Sequence, residues 1–248
     1  MHQNRPISIH RFQHVILEDN NAIWHEAELE SDFEKKECAA STSRTFYTFS
    51  TLICIAQIIY FSLMITIWGV VPIQENPMIG PPVTILVRFG AKEAALMKYY
   101  NQWWRLFSAI FVHAGVLHLI PNVFIQLRVG GYLNLIFTTP VWLWIYIASG
   151  IFGFMLSCIF EPNSVGVGSS GSLMGMLTAW VVWIVFRWKK IPVRGQGQRN
   201  FQLGILIVGI VLTLGTSFVP HVDWAAHLGG SIQVSMLLHS RCRMPLTW

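Results

Sequence analysis

The sequence predicts an all-α membrane protein whose helices form a bundle of six transmembrane spans. Three observations support this prediction: the composition, the lengths of the uncharged stretches, and the placement of the basic residues. Of the 248 residues, 53% are hydrophobic and 12% are charged, whereas about a quarter are charged in soluble domains. A soluble domain of this size could not bury so much apolar surface, but a bilayer accommodates it.

A helix needs about 20 apolar residues to cross the hydrocarbon core of a bilayer. Six stretches free of Asp, Glu, Lys and Arg approach or exceed that length, and helix is predicted in each because a helix satisfies its own backbone in lipid. Gly130, Gly131 and Pro140 predict a turn at the start of the third stretch. The stretches lie between Arg44 and Glu75, Arg105 and Arg128, Arg128 and Glu161, Glu161 and Arg187, Arg199 and Asp223, and Asp223 and Arg241.

The basic residues predict the orientation of the chain. With the N-terminus in the cytosol, 13 of the 17 Lys and Arg residues are cytosolic, as the positive-inside rule requires. We therefore predict a cytosolic tail over residues 1–44, with too few apolar residues to form a core. A six-span domain follows over 45–240, with a long outer loop at about 72–105, and then a short cytosolic tail over 241–248. No sorting signal distinguishes the Golgi from the plasma membrane.

The composition argues against two other classes of protein. The net charge is +5, but the basic residues lie between apolar runs and form no stripe, so no nucleic-acid partner is expected. The cysteines are far apart and fit no metal or redox spacing, so no metal or cofactor is expected. They are Cys38, Cys54, Cys158 and Cys242.

Polar residues within the predicted spans are candidates for function, because they are costly in lipid. The stretch Gly168-Ser169-Ser170-Gly171 is interpreted either as a helix N-cap with flexible glycines or as a nucleophile at a helix start, where free N–H groups could hold an oxyanion. His227 is either a neutral histidine bonded to a neighbouring helix or a catalytic base.

The second span carries a further polar set. His118 and Asn122 are four residues apart and share a helix face, where an imidazole and an amide could donate to developing negative charge. The alternative is ordinary hydrogen bonding between helices. His113 is five residues before His118, so on a regular helix the two side chains are expected to point apart.

Helix packing predicts that the serine and the histidine meet. The second, fourth and sixth predicted spans begin on the outer side, so Ser170 and His227 are expected at a similar, shallow depth in the membrane. His118 lies at the same depth if its helix starts near Gly115. Gly171 with Gly175, and Ala226 with Gly230, have the small-residue spacing that lets helix backbones approach closely. Packed on these faces, the two helices would bring Ser170 within hydrogen-bond reach of His227.

The order of these motifs resembles the rhomboid family of intramembrane serine proteases, over about residues 71–235, and looks like its eukaryotic secretase-type branch in a six-span form. The resemblance is carried by Glu75–Pro81, Phe89–Lys92, Trp104-Arg105, His113 with His118 and Asn122, Gly168-x-Ser170-Gly171, and Ala226-His227-x-Gly229-Gly230. It implies that Ser170 is the nucleophile and His227 the general base. It also implies that His118, Asn122 and the Ser170 backbone form an oxyanion hole, whereas Trp104, Arg105, His113, Gly168, Gly171 and Gly230 are structural.

The sequence departs from the family pattern at several positions. An aromatic residue is usual where Met174 stands, glycines are usual at Thr178 and Val234, and an acid is usual at Asn134. Pro121 would free a backbone carbonyl and kink the second helix. None of these changes removes a group that performs chemistry, so activity is expected.

The resemblance implies an endopeptidase that cuts transmembrane segments of single-span membrane proteins near the non-cytosolic face. Water must reach the two catalytic residues, so a polar cavity open to the outside is predicted. The alternatives are a catalytically inactive family member that binds membrane clients, and a metal-ion transporter that uses the histidines. The absence of carboxylates within the spans argues against the transporter.

Overall fold

The computed structural model describes residues 49–186, 188, 195–216 and 223–241. The tail predicted over 1–44, and residues 242–248 of the tail predicted over 241–248, therefore lie outside the described residues. Within the described part the elements are helical, which confirms the predicted helical class. The helices are α1 (Phe49–Trp68), α2 (Val83–Arg88), α3 (Ala94–Tyr100), α4 (Arg105–Ser108), α5 (Val116–Ile125), α6 (Gly131–Ile136), α7 (Thr139–Phe160), α8 (Ser170–Phe186), α9 (Gln196–Thr216) and α10 (Trp224–Arg241).

Each of the six predicted stretches contains one of the longer helical segments. These helices differ, however, in whether their length and composition suffice to cross a membrane. Among the described residues, α1 and α7 are long and apolar enough to cross a membrane, and α8 is a shorter apolar helix. Many of the large apolar side chains of α1 and α9 are exposed, as expected of helices that face lipid. The count of six spans stays a prediction.

The turn predicted from Gly130, Gly131 and Pro140 lies immediately before Pro140 and not at the two glycines. A π-helical turn (Gln126–Gly130) joins α5 directly to α6, and the chain leaves the helix after Ile136. Gly130 serves close packing, because a Cβ there would lie 2.5 Å from the Ser50 hydroxyl of α1. Ser50 also donates to the carbonyl oxygen of Gln126 at 2.7 Å, so it satisfies a backbone group at the irregular turn. Pro121 lies within α5.

The long loop between α1 and α4, which the sequence predicts to be the first outer loop, is organised around Arg105, which is buried despite its charge. Its Nη1 donates to the carbonyl oxygens of Val87 at 2.6 Å and Ala91 at 2.9 Å. Its Nε donates to the Gln102 side chain at 2.8 Å, and its guanidinium lies 4.7 Å from the Trp104 ring centre. One planar side chain therefore ties together α2, the start of α4 and the turn that leads to α3.

Helices α7, α8 and α10 form the centre of the bundle, and small residues allow their backbones to approach. A Cβ at Gly153 of α7 would lie 2.6 Å from the Ala226 carbonyl oxygen of α10. A Cβ at Gly175 of α8 would lie 2.1 Å from the Ser149 hydroxyl of α7. Larger side chains at these glycines would separate the three helices that surround the candidate site.

Candidate active site

Ser170 and His227 are in hydrogen-bond contact, although 57 positions separate them in the chain. The Ser170 hydroxyl oxygen lies 2.7 Å from Nε2 of His227. Ser170 is the first residue of α8, and His227 lies in the first turn of α10 with 2% of its surface exposed. This geometry fits a serine whose proton can pass to an imidazole.

Close packing beside this contact involves two glycines. Gly171 directly follows Ser170, and Gly230 lies about one helical turn after His227. A Cβ at Gly230 would lie 2.0 Å from the Gly171 carbonyl oxygen, and a Cβ at Gly171 would lie 3.1 Å from the Ala226 carbonyl oxygen. The backbones of α8 and α10 therefore touch beside Ser170, as the small-residue spacing predicted.

His118 lies beside the segment that leads into Ser170. Helix α5 begins at Val116 after Gly115, which is the start that the depth argument required. Gly168 has a φ of +106°, and a Cβ there would lie 2.6 Å from His118 Cε1. Gly168 therefore combines a backbone conformation that favours glycine with close contact to the His118 ring.

Asn122 lies one turn after His118 on the same helix face. Its amide nitrogen donates to the His118 carbonyl oxygen at 2.7 Å, and its oxygen accepts from the Ser169 hydroxyl at 3.4 Å. An amide nitrogen carries two N–H groups, so the bond to His118 engages one of them. The second remains able to serve the cavity that Asn122 lines.

The expectation that His113 and His118 point apart is wrong. Their ring centres are 5.4 Å apart in an edge-to-face arrangement. His113 precedes α5 and so does not follow the helical spacing on which that expectation rested. His113 is fully buried, and its Nδ1 lies 3.3 Å from the Phe111 carbonyl oxygen.

The Asp223 carboxylate caps α10. One oxygen accepts from the Ala226 N–H at 2.9 Å, and the other accepts from the Ser157 hydroxyl of α7. Asp223 therefore satisfies a free N–H at the start of the helix that carries His227. Its two oxygens stabilise that helix end and join it to α7.

A cavity of about 340 Å³ opens beside the serine and the histidine. Most of its lining is apolar, and its polar groups come from His118, Asn122, Ser170, Thr213 and His227, so the cavity is less polar than predicted. The lining residues are Met78, Leu117, His118, Pro121, Asn122, Ile125, Ser170, Leu173, Met174, Leu177, Thr213 and His227.

Two of the departures from the family pattern, Pro121 and Met174, line this cavity. Met174 is fully buried and lines the cavity. The Thr178 hydroxyl donates to the Met174 carbonyl oxygen at 2.8 Å, one turn back along α8, and Val234 is buried in the core. In the described part of the chain, no group of three or more His, Cys, Asp or Glu side chains could hold a metal ion.

The sequence analysis missed a polar network inside the bundle. Gln57 of α1 donates to the Tyr146 hydroxyl of α7 at 3.1 Å, and that hydroxyl donates to Gln126 at 2.7 Å. The rule that singled out the histidines, a polar side chain within a predicted span, also applies to Gln57 and Gln126. Applied to every residue type, it would have found them.

Comparison with known proteins gives a consistent family assignment. The family model described as the Rhomboid domain matches residues 100–239. RHOMBOID-like protein 1 of Arabidopsis thaliana is 33% identical over 64% of this chain and 40% of its own length. Rhomboid protease GluP of Bacillus subtilis is 31% identical over 82% of this chain and 37% of its own length.

Rhomboid-like protease 1 of Toxoplasma gondii is 32% identical over 70% of this chain and 59% of its own length. The chain thus spans roughly two fifths to three fifths of the length of these relatives.

Proposed function

Because the chain belongs to the rhomboid family, we propose that it is an intramembrane serine endopeptidase in which Ser170 and His227 form the catalytic dyad. The observation that carries this proposal is the 2.7 Å distance between the Ser170 hydroxyl oxygen and His227 Nε2. Two relatives are named as rhomboid proteases, from Bacillus subtilis and Toxoplasma gondii. The presence of both dyad residues favours an active enzyme over a client-binding protein.

In the proposed reaction, the Ser170 oxygen attacks a peptide carbonyl carbon while neutral His227 takes the serine proton at Nε2. The carbonyl oxygen becomes negatively charged in the tetrahedral intermediate. The Ser170 N–H, at the start of α8, has no acceptor within its own helix and faces this charge. His118 and the second N–H of Asn122 complete the oxyanion hole.

The intermediate collapses when the bond between the carbonyl carbon and nitrogen breaks and His227 returns the proton to the leaving amine. An acyl-enzyme on Ser170 remains. Water then attacks this ester with His227 as base. The bond between the carbonyl carbon and the Ser170 oxygen breaks, His227 returns the proton to Ser170, and the new carboxyl end departs. The polar groups that line the cavity would bind this water.

The proposed substrates are single-span membrane proteins, cut near the non-cytosolic face of the bilayer. A helix hides its peptide carbonyls within its own hydrogen bonds, so the substrate has to unwind before Ser170 reaches it. Residues with low helix propensity near the cut, such as glycine, lower the cost of unwinding. The proposed topology has six spans with the N-terminus in the cytosol.

Co-expression with a tagged single-span substrate tests this proposal. Wild-type protein should release the tagged fragment, and Ser170→Ala should reduce release by at least about a thousandfold. Ser172→Ala is the matched control: it removes a buried hydroxyl from the same helix, and that hydroxyl has no hydrogen-bond partner. It should cleave like wild type.

The outcome also separates the two candidate functions. Equal cleavage by wild type and Ser170→Ala would refute the nucleophile assignment. Recovery of intact substrate bound to both proteins, with no fragment from either, would instead identify an inactive family member that binds membrane clients.

A further inference from the structure

Lys92 belongs to the first outer loop, yet its side chain is completely buried. Its Nζ donates to the Glu161 carbonyl oxygen at 2.8 Å, the Ser164 carbonyl oxygen at 2.9 Å and the Ser164 hydroxyl at 3.1 Å. A lysine ammonium has three N–H groups, so each has an acceptor. Burial of a charge is costly unless hydrogen bonds replace water, and here one short turn of chain supplies all of them.

The backbone of Lys92 reinforces this tie. Its N–H donates to the Gly166 carbonyl oxygen at 2.8 Å, and the Gly166 N–H donates to the Lys92 carbonyl oxygen at 3.0 Å. Two residues later, the Gly168 N–H donates to the Ala109 carbonyl oxygen at 2.9 Å. Residues 161–169, named here the nucleophile segment, are therefore held at several points immediately before Ser170.

The nucleophile segment also touches the helix that carries the histidine. A Cβ at Gly166 would lie 2.8 Å from Asp223 Oδ2 on one side and 3.1 Å from Lys92 Cδ on another. Asp223 caps α10 one turn before His227. Gly166 thus lies between the lysine that holds the nucleophile segment and the carboxylate that begins the histidine helix.

We propose that Lys92 is a positioning residue for the Ser170–His227 pair, because its ammonium holds the nucleophile segment in the conformation that presents Ser170. This inference rests on the proposed function, since it assigns a role within the same site. Lys92 does not line the cavity beside Ser170, so it acts through the backbone rather than by contact with substrate. The segment contains Gly168, whose positive φ favours glycine, and leads directly into the proposed oxyanion N–H of Ser170, where small displacements alter the reaction.

The charges around Lys92 fit an ammonium group. Burial lowers the pKa of Lys92 below its ordinary value, and the nearby carboxylates of Asp223, Glu161 and Glu93 offset only part of that shift. A methionine at this position would match the length of the chain but remove the charge and all three donors, leaving the carbonyl oxygens of the turn unpaired.

Hydrogen exchange tests whether Lys92 holds the nucleophile segment, and this test does not depend on the proposed cleavage activity. In Lys92→Met, the amides of residues 164–170 should exchange at least about tenfold faster than in wild type, because the segment opens more often. Lys98→Met is the matched control, since Lys98 lies in the same loop and its side chain is exposed. It removes the same charge and should leave exchange in the segment unchanged.

Steady-state cleavage tests the consequence for the reaction. In Lys92→Met, kcat should fall at least about tenfold while KM stays within about twofold, because substrate still binds but Ser170 is misplaced. Lys98→Met should change neither constant. The kcat values are normalised to the concentration of folded protein, so that a loss of folded protein is not mistaken for a loss of kcat.

Several results would overturn the inference: unchanged exchange in Lys92→Met, unchanged kcat, or a raised KM with unchanged kcat. If Lys92→Met does not fold, Ser164→Ala decides, because it removes one acceptor and leaves the lysine in place. It should lower kcat about twofold to threefold and speed exchange, and no change in either would contradict the role. If wild type cleaves no substrate, the proposed function fails, while the exchange experiment still decides whether Lys92 holds the segment.

Discussion

Gly230 of α10 lies against the carbonyl oxygen of Gly171 of α8, and this contact sets the separation of the two helices that carry Ser170 and His227. A Cβ at Gly230 would lie 2.0 Å from that oxygen. The obstacle is backbone, which is less able to move aside than the end of a side chain, so the helices themselves would have to separate.

Gly230→Ala should therefore lower cleavage by at least about tenfold, with a stability cost of about 1–3 kcal/mol from overpacking. Cleavage of a tagged substrate and thermal unfolding in detergent measure the two effects. Gly204→Ala is the control, because a Cβ at Gly204 of α9 would meet nothing within 4 Å. Wild-type activity in Gly230→Ala would show that the helix separation is not critical.

Gly168 should be required for its contact with His118 as well as for its backbone conformation. Gly168→Ala places a methyl group 2.6 Å from His118 Cε1 at a φ of +106°. The left-handed conformation costs a non-glycine residue about 1–2 kcal/mol, and displacement of the imidazole should in addition lower kcat about tenfold.

Gly69 separates these two effects. It also has a positive φ, at +74°, but a Cβ there would meet nothing within 4 Å. Gly69→Ala should lose similar stability and keep its kcat. An equal loss of kcat in both variants would attribute the effect to backbone strain rather than to His118.

Asp223 should stabilise α10 rather than orient the His227 ring. Asp223→Asn keeps a side-chain oxygen that can accept from the Ala226 N–H, so its kcat should stay within about threefold of wild type. Asp223→Ala removes the cap and should lower stability by about 0.5–2 kcal/mol, measured by thermal unfolding. A hundredfold loss of kcat in Asp223→Asn would instead indicate a direct role of the negative charge at the dyad.

Arg105 should be irreplaceable by lysine, because its guanidinium bonds Val87, Ala91 and Gln102 at the same time. Hydrogen bonds from charged groups contribute about 1.5–3 kcal/mol each, and a lysine lacks the planar fork that makes them together. Arg105→Lys should therefore unfold at a clearly lower temperature. Arg88→Lys, at an exposed position of the same loop, should unfold like wild type, and equal midpoints for the two variants would contradict this role of the fork.

Composition and residue spacing were sufficient for the helical class and the family resemblance, and both are confirmed. The small-residue pairs around Ser170 and His227 also predicted the face on which α8 and α10 meet. These inferences succeeded because they depend on local properties: apolar length, the cost of polar groups in lipid, and the room left by a missing side chain.

Other predictions failed where a local pattern had more than one structural use. Gly130 and Gly131 suggested a turn, but the helix continues through both, and a Cβ at Gly130 would meet Ser50 of α1 and Trp142 of α7. The spacing of His113 predicted a position on a regular helix, but α5 begins three residues after it. From the sequence, Lys92 is an outer-side charge and the end of the Phe89–Lys92 motif, and nothing near it in the chain reveals Glu161 and Ser164 as its partners.

The sequence alone determined that this chain is helical and apolar enough for a bilayer, and which polar residues are costly enough there to suggest chemistry. Only the tertiary structure decided that Ser170 meets His227 at 2.7 Å, that Gly168 abuts His118, and that Lys92 holds the nucleophile segment. The physical reason is that hydrophobicity and helix geometry act over a few residues, whereas these contacts join positions dozens of residues apart and depend on how closely whole helices pack.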